Sequence, residues 1–377
     1  MATQEGSSLA DKPKDICLED MIIDIEFHPQ KDVIASGSIE GDIFLHSYNI
    51  GKENSELMKL SHHKKSCRVV RFSPSGEDLH AGSKDKSFST VDLNTGTLKR
   101  RVKNAHEAAI YSMLVTGDNF LVTGDDDGYV KLWDLRQQKA VMEERQSEEY
   151  ISDIAVDDQK KTLLVASGEG TLTAFNLRRK KMETQSELFD SEFLSLAIVK
   201  RGQKVVCGCG NGELNMFTWG DWGNISDRFP GHPMSIDCMV PLTDDIVCTG
   251  SMDGLIRAVH ILPNRFIGIV GEHPGDFPVE NLSLSRDKHL LASCSHDQKI
   301  KFWNVDSVSS ETVDVRTRAL KGDKSKFLKS SDKGDFFADL AADEASGNAG
   351  GDKKDGDGDD DDGDDSVDDD SDSDEND

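Results

Sequence analysis

The chain has 377 residues, of which 71 are Asp or Glu and 44 are Lys or Arg, so its formal net charge is −27. About half of that charge, −14, lies in the segment from Asp352 to Asp377. Such an excess of negative charge disfavours broad contact with nucleic acid and favours cationic partners. No apolar run approaches the ~20 residues that cross a membrane, and residues 1–13 lack the basic start and apolar core of a secretory signal. We therefore expect an intracellular protein without membrane contact, whose seven irregularly spaced cysteines stay reduced.

A repeated pattern runs through the chain. Its clearest copy is the segment from Leu121 to Arg136, which predicts a strand, a tight acidic turn and a second strand. Copies aligned on that turn are centred on Glu40, Asp85, Asp127, Glu169, Asn211, Asp253 and Asp297. Successive copies are 42 to 45 residues apart. A period in the low forties is typical of four-stranded propeller blades, so the sequence predicts an all-β, seven-bladed β-propeller.

Each copy contains the same order of predicted strands. It opens on an alternating run such as Ile22–Phe27, which predicts a strand with one buried face. The second strand ends in small residues, as at Gly124, where backbones approach closely. The third strand ends at Trp133-Asp134 or its counterpart, and a fourth strand with interleaved charges, such as Thr97–Val102, suits an outer edge. The predicted repeats are about 22–60, 67–102, 105–143, 149–186, 192–230, 231–270 and 272–305.

Over roughly residues 15–305 the chain resembles the WD-repeat family, whose repeats end in Trp-Asp. The resemblance implies a buried hydrogen-bond network of His, Ser or Thr, Asp and Trp inside a blade. Two copies carry all four residues: His106, Thr123, Asp127 and Trp133 in the third, and His273, Ser293, Asp297 and Trp303 in the seventh. The sixth copy keeps His232, Thr249 and Asp253 but has Val259 in place of Trp, which predicts a partial network. These are structural residues, because a buried indole or imidazole N–H needs a partner.

The resemblance also implies that a strand ahead of the first repeat closes the ring in the last blade. Residues 15–19 are the candidate, and residues 311–315, after the last repeat, are the alternative. We expect a flexible segment over residues 1–14 and a propeller over residues 15–306. Residues 307–377, polyacidic from residue 352, are predicted to be a disordered tail, because so polar a segment cannot offset the entropy of ordering.

Motifs that carry catalytic chemistry are missing from the sequence. The glycine-rich segment Gly208–Gly212 lacks the Lys-Ser/Thr and the spacing of phosphate-binding loops. Cys207 and Cys209 lack the second cysteine pair that zinc sites usually have, so they are interpreted as small core residues. The sequence predicts a non-enzymatic interaction platform, a monomeric propeller that has no catalytic residues and needs no metal or other cofactor.

Two arginines occupy the same point in neighbouring repeats. Arg136 ends Trp133-Asp-Leu-Arg136, and Arg178 ends Phe175-Asn-Leu-Arg178 one blade later. The pattern is similar to the Trp-Asp-x-Arg motif of propellers that act as substrate receptors of cullin-type ubiquitin ligases, although the second copy keeps only the Arg. The resemblance implies docking on the ligase's large propeller adaptor, and a solvated Arg at a strand end is the alternative.

Basic clusters occur at Lys99–Arg101 and Arg178–Lys181. They could meet RNA phosphates or aid nuclear import, but they lack interleaved aromatic residues. We interpret them as exposed turns and expect contact with RNA to be weak or indirect.

Three further stretches resemble one subfamily of WD-repeat proteins. These are Ile261–Arg265, Phe217–Gly220 together with Asp227–Phe229, and Asp335–Leu340. The resemblance implies a nuclear, largely nucleolar protein, with some in the cytoplasm, that supports ribosomal RNA synthesis and processing through protein partners in ribosome biogenesis. The ligase-receptor role is the alternative function.

The tail contains a short apolar patch and two candidate modification sites. Phe336, Phe337 and Leu340 would share a face if a turn of helix formed on a partner. Ser366 and Ser371 each have an acidic residue three positions on, a pattern that acid-directed kinases favour. Phosphates there would add to the polyanion.

Overall fold

A computed structural model describes residues 12–275 and 277–311 of the chain. Within these residues, 28 strands form seven four-stranded antiparallel sheets. The first strands are β2 (Ile22–Phe27), β6 (Cys67–Phe72), β10 (Ile110–Gly117), β14 (Ile151–Val156), β18 (Phe193–Val199), β22 (Ile236–Pro241) and β26 (Val279–Leu284). The second strands are β3 (Val33–Ser38), β7 (Asp78–Ser83), β11 (Phe120–Asp125), β15 (Thr162–Ser167), β19 (Lys204–Cys209), β23 (Ile246–Ser251) and β27 (Leu290–Ser295).

The remaining strands complete the blades. The third strands are β4 (Ile43–Ser47), β8 (Phe88–Asp92), β12 (Tyr129–Asp134), β16 (Leu172–Asn176), β20 (Leu214–Thr218), β24 (Leu255–His260) and β28 (Lys299–Asn304). The outer strands are β5 (Ser55–Leu60), β9 (Thr97–Val102), β13 (Ala140–Arg145), β17 (Lys181–Gln185), β21 (Asp227–Phe229), β25 (Arg265–Glu272) and β1 (Ile16–Cys17). A short helix, α1 (Asp306–Ser309), follows the last strand.

Six blades follow chain order from the first strand to the outer strand, and the seventh has the order β1-β28-β27-β26. The first strand of each blade contacts the first strands of the two neighbouring blades, including β2 with β26. The first strands therefore surround a common axis and the ring is closed. The prediction of a seven-bladed propeller is confirmed.

Burial follows position in the blade. All six residues of β3 are buried, because both faces of a second strand pack on neighbouring blades. The outer strand β5 is exposed except at Met58 and Leu60. Small residues at the ends of second strands meet the next blade: a Cβ added at Gly124 would lie 2.5 Å from Cβ of Ile151. The predicted close approach thus occurs between blades, and at Gly124 the neighbour is the Ile151 side chain.

Side chains that face the axis join neighbouring first strands. An oxygen of the Asp24 carboxylate lies 2.6 Å from the Val70 amide nitrogen, and an oxygen of the Asp153 carboxylate lies 2.8 Å from that of Leu196. Serines bridge other pairs: Ser112 to the Ile151 carbonyl at 2.8 Å, Ser195 to the Ile236 carbonyl at 3.0 Å, and the Phe27 amide to Ser283 at 3.0 Å. These bonds couple one blade to the next without a continuous sheet.

The seventh blade takes its outer strand from the beginning of the chain. Ile16 pairs with Ile300 and Cys17 with Lys299 in antiparallel register, and the Leu18 amide donates to the Gln298 carbonyl at 3.0 Å. Ile16 is 4% exposed and packs in a core shared by the first and seventh blades. In the alternative segment, only residue 311 is described, and residues 312–315 lie outside the described residues. The rest of the predicted tail and residues 1–11 lie outside them as well.

Removal of residues 1–19 should lower the melting temperature or prevent folding. The deletion uncovers the edge of β28 and removes Ile16 from the core, a burial worth about 1.5–3 kcal/mol. Ending the chain after Glu311 should leave the melting temperature nearly unchanged. Calorimetry of both shortened chains beside the full chain checks this, and the reverse pattern would show that closure depends on residues after Glu311.

Candidate partner-binding surfaces

The third blade contains a buried chain of hydrogen bonds. The Trp133 indole N–H donates to Oγ1 of Thr123 at 2.8 Å, and Nε2 of His106 lies 2.6 Å from the same oxygen. Nδ1 of His106 lies 2.8 Å from the Asp125 carboxylate. Because indole only donates and carboxylate only accepts, the direction follows: Trp133 to Thr123, Thr123 to His106, His106 to Asp125.

The carboxylate in this blade is Asp125 and not Asp127, which the sequence alignment proposed. Asp125 is 1% exposed at the end of β11, and its second oxygen accepts the amides of Asp127 and Tyr129. The Asp127 side chain is exposed. Three consecutive aspartates occupy this turn. Only the first bonds to His106 and also accepts backbone amides of the turn.

In the seventh blade the bonded residues are those that the sequence analysis named. Trp303 donates to Ser293 at 2.9 Å, and His273 lies 2.7 Å from Ser293 and 2.9 Å from Asp297. Burial lowers the pKa of His273, although Asp297 opposes the shift. The hydrogen-bond chain requires a neutral imidazole, because the His273 ring accepts from Ser293 and donates to Asp297. The lowered pKa favours this neutral form.

Other blades keep parts of the arrangement. In the sixth, His232 bonds to Thr249 at 2.9 Å, while Asp253 pairs with Arg257 at 2.5 Å and Val259 fills the Trp position. Burial lowers the pKa of His232 to about 4.

In the second blade, His63 lies 3.2 Å from Ser87 and 3.0 Å from Ser89, and Arg101 pairs with Asp85 at 2.8 Å. Sequence reasoning missed this variant because Ala81 and Val91 occupy the Thr and Trp positions, while the hydroxyl groups come from Ser87 and from Ser89 on β8.

Arg136 lies in the turn after β12 and is held in one orientation. Its guanidinium makes two bonds to the Asp134 carboxylate, at 2.8 Å and 2.7 Å, while 63% of its side chain stays exposed. Its guanidinium carbon lies 5.6 Å from the centre of the Phe120 ring. Arg100, on the outer strand of the preceding blade, donates to the Leu135 and Gln137 carbonyls at 2.7 Å each. The loop is thus tied to two blades, and Arg136 is presented to solvent in a defined position.

Arg178 occupies the equivalent turn of the fourth blade. Its amide donates to Asn176 at 3.1 Å, as the Arg136 amide does to Asp134. The Arg178 side chain is exposed, and it makes no ion pair within residues 12–275 and 277–311. The two turns share a backbone shape, but an Asn cannot hold the guanidinium as Asp134 does.

A cavity of about 710 Å³ occupies the axis of the ring and was not predicted. Its lining contains five carboxylates, two arginines and one histidine: Asp24, Glu26, Asp153, Asp237, Glu280, Arg68, Arg71 and His296. Arg71 pairs with Asp24 at 2.6 Å, and His296 pairs with Glu280 at 2.5 Å. The cavity therefore keeps an excess of acidic groups.

One end of the cavity lies where the first strands begin, and we call this end its mouth. Asp237 and Glu280 are second residues of their strands, and His296 lies in the turn after β27. Burial, together with the neighbouring Glu280 carboxylate, raises the pKa of Asp237 to about 6, although a hydrogen bond from Ser235 opposes the shift. Deeper in, burial raises the pKa of Glu26 to about 7, although Arg71 opposes the shift. These groups gain negative charge as the pH rises through 6 to 7, so a bound cation would be held more tightly there.

Several predicted sites lie outside the described residues. These are the apolar patch of Phe336, Phe337 and Leu340, and the serines Ser366 and Ser371. Within the described part of the chain, no group of three His, Cys, Asp or Glu could hold a metal ion, and no helix is long and apolar enough to span a membrane. The seven cysteines are free, and burial raises the pKa of Cys209 to about 12.

Trp133→Phe should reduce the free energy of unfolding by about 1–3 kcal/mol more than Trp222→Phe. Both indoles are buried, at 4% and 6% exposure, so both changes remove similar apolar area. Trp133 donates to Thr123, whereas Trp222 packs against Trp219 and donates no side-chain hydrogen bond within the described residues. Denaturant titration of the two variants measures the difference, and equal losses would contradict a stabilising role for the network.

Comparison with known proteins agrees with this geometry. The WDR55 family model matches residues 13–308. The chain is 45% identical over 352 residues to WD repeat-containing protein 55 of Rattus norvegicus, covering 92% of this chain and 91% of that protein. Identity to the Homo sapiens protein of that name is 45% over 336 residues, 88% of each chain. The Drosophila erecta homolog is 38% identical over 344 residues, 90% of this chain and 68% of that protein. The chain belongs to the WD repeat-containing protein 55 family.

Proposed function

We propose that this protein is a non-enzymatic scaffold of the nucleus and nucleolus that assembles protein partners for ribosomal RNA synthesis and processing. The propeller fold supports a role as a protein-interaction scaffold. The acidic axial cavity is the observation that carries the finer proposal. Proteins that bind RNA present clustered Lys and Arg, which an acidic mouth can receive.

The cavity mouth offers what a basic peptide needs. Asp237 makes no ion pair within the described residues, so an incoming ammonium or guanidinium would be its cationic partner. Tyr111 lines the cavity, its ring centre is 5.3 Å from the Arg68 guanidinium carbon, and it stacks on Tyr150 at 4.8 Å. Aromatic faces of this kind also hold cations. The same negative charge repels RNA phosphates, so contact with RNA is through the bound protein.

The test is replacement in cells depleted of the protein. Wild type should concentrate in the nucleolus and restore normal precursor ribosomal RNA. The double variant Asp237→Asn, Glu280→Gln should restore it poorly and co-purify with fewer basic proteins.

The control is Glu56→Gln, Glu144→Gln, which removes two exposed carboxylates from outer strands. Normal precursor RNA after depletion, or a protein that stays in the cytosol, would refute the proposal.

A second function is favoured by one observation, the fixed guanidinium of Arg136. We propose as the alternative that the protein is a substrate receptor of a cullin-type ubiquitin ligase. Arg136 needs no reordering to meet a carboxylate on the adaptor, and Arg178 stands one blade away in an equivalent turn. Pre-oriented Arg side chains lose less conformational entropy on binding.

The adaptor pull-down tests this alternative. Arg136→Ala, Arg178→Ala should lower adaptor capture at least tenfold, while Lys139→Ala, Arg179→Ala, exposed cations of the same two loops, should not. Equal capture by both variants would exclude docking through these arginines.

A further inference from the structure

Three large apolar side chains are exposed beside the cavity mouth. Met234 precedes β22, Met252 lies in the turn between β23 and β24, and Phe277 precedes β26. Their side chains are 49%, 54% and 42% exposed. All three residues lie at the end where the first strands begin, because β23 runs antiparallel to β22 and ends there. We call these three residues the apolar rim.

Backbone contacts make the rim continuous across the sixth and seventh blades. The Met252 amide donates to the Ser235 carbonyl at 3.2 Å, which places its turn against the residue after Met234. A Cβ added at Gly254, in the same turn, would lie 2.9 Å from the Phe277 carbonyl oxygen. The turn that carries Met252 therefore contacts both of the flanking segments.

The rim adjoins the two carboxylates of the mouth. Asp237 lies three residues after Met234, on the strand that Met234 precedes. Glu280 stands in the same relation to Phe277 in the next blade. Met252 lines the cavity together with both carboxylates. Apolar and acidic groups thus form one surface, and a ligand bound at Asp237 lies beside the rim.

The other blades have polar or small residues where the rim has Met234 and Phe277, two positions before the first strand. The five equivalent residues are Asp20, Lys65, Ala108, Glu149 and Ser191. The fold therefore does not require a large apolar residue at this position. Exposed apolar patches with a polar border are typical of interaction sites.

We propose that the rim and the two carboxylates together bind a protein segment in which Lys or Arg has apolar residues on both sides. This inference rests on the function proposed above, in which the mouth receives basic segments, and it names the kind of segment. The cation meets Asp237, which makes no ion pair within the described residues. The apolar neighbours of the cation cover the rim and remove its side chains from water.

Selection among basic segments requires contacts other than charge. Long-range attraction draws every cation toward an acidic mouth, and salt screens that attraction. A segment that carries only Lys and Arg leaves the rim in water, whereas apolar neighbours bury it. Nucleic acid phosphates are repelled by the same carboxylates. The surface therefore favours a segment that is both basic and apolar.

Calorimetric titration of the full chain with three synthetic peptides tests the inference. The first probe is acetylated and amidated Gly-Leu-Leu-Arg-Arg-Leu-Leu-Gly. The second probe has Ser in place of every Leu, and the third has Gln in place of both Arg. The first probe should bind at least tenfold more tightly than either of the others, because only it matches both the carboxylates and the rim.

Variants assign the selectivity to the rim. Met252→Ser, Phe277→Ser should weaken binding of the first probe at least fivefold and leave the second probe unaffected. The matched control Leu57→Ser, Leu188→Ser removes two exposed apolar side chains from outside the mouth and should change neither. Because the rim is exposed, its variant should keep the melting temperature of the wild type, which separates lost binding from lost fold.

The outcomes distinguish this inference from the proposed function. If the first two probes bind equally and the variant Asp237→Asn, Glu280→Gln binds neither, the inference is wrong and a basic partner at the mouth still stands. An unchanged affinity of the first probe in the rim variant overturns the inference in the same way. Equal binding of the first and third probes, displacement of the first by an eight-nucleotide single-stranded RNA, or a Kd of the first weaker than about 1 mM would overturn both.

Discussion

Seven sheets around one axis leave the inner edge of every first strand without a strand beside it. Unpaired backbone groups in such a place are costly unless other groups bond to them. In this protein, side chains of the adjoining blade take that role: Asp24 for the Val70 amide, Asp153 for the Leu196 amide, and Ser195 for the Ile236 carbonyl. The ring depends on these bonds and on the short strand β1, which pairs with the outer edge of β28 and completes the seventh blade. The acidic lining of the cavity is thus partly a consequence of how the blades are joined.

The intrablade networks stabilise single blades, and they vary more than the ring does. Two blades combine Trp, hydroxyl, His and Asp, while the sixth has Val259 at the Trp position. The Val side chain has no N–H group, so the replacement of Trp by Val leaves fewer buried polar groups that need partners. A blade can therefore lose part of the network and still fold.

Charge is distributed unevenly over the two faces and the axis. Carboxylates dominate the axial cavity, and cations that make no ion pair with residues 12–275 or 277–311 collect at one end of the fourth blade. A surface of this kind can receive partners of opposite charge at separate places. The excess of acid in the chain as a whole conceals this group of cations, because Lys160 and Lys161 are brought beside Arg178–Lys181 only in the folded blade.

The sequence by itself determined the number of blades, the position of the strands and the family, because a period of 42 to 45 residues and alternating runs are local properties. It also identified the network of the seventh blade, where one carboxylate stands in the turn. In the third blade it assigned the network to the wrong carboxylate, because the sequence does not distinguish between the three consecutive aspartates that follow Gly124. Which of them bonds to His106 depends on where the folded turn places each side chain.

Only the tertiary structure decided where the polar faces of the first strands point. Alternation predicts that Asp24 and Glu26 share a face, and such a face ordinarily meets solvent. Closure of the ring turns it instead toward a narrow cavity, where Glu26 meets Arg71 from the next blade and burial raises its pKa to about 7. That environment depends on strands about 45 residues apart in sequence coming together, so no local pattern contains it.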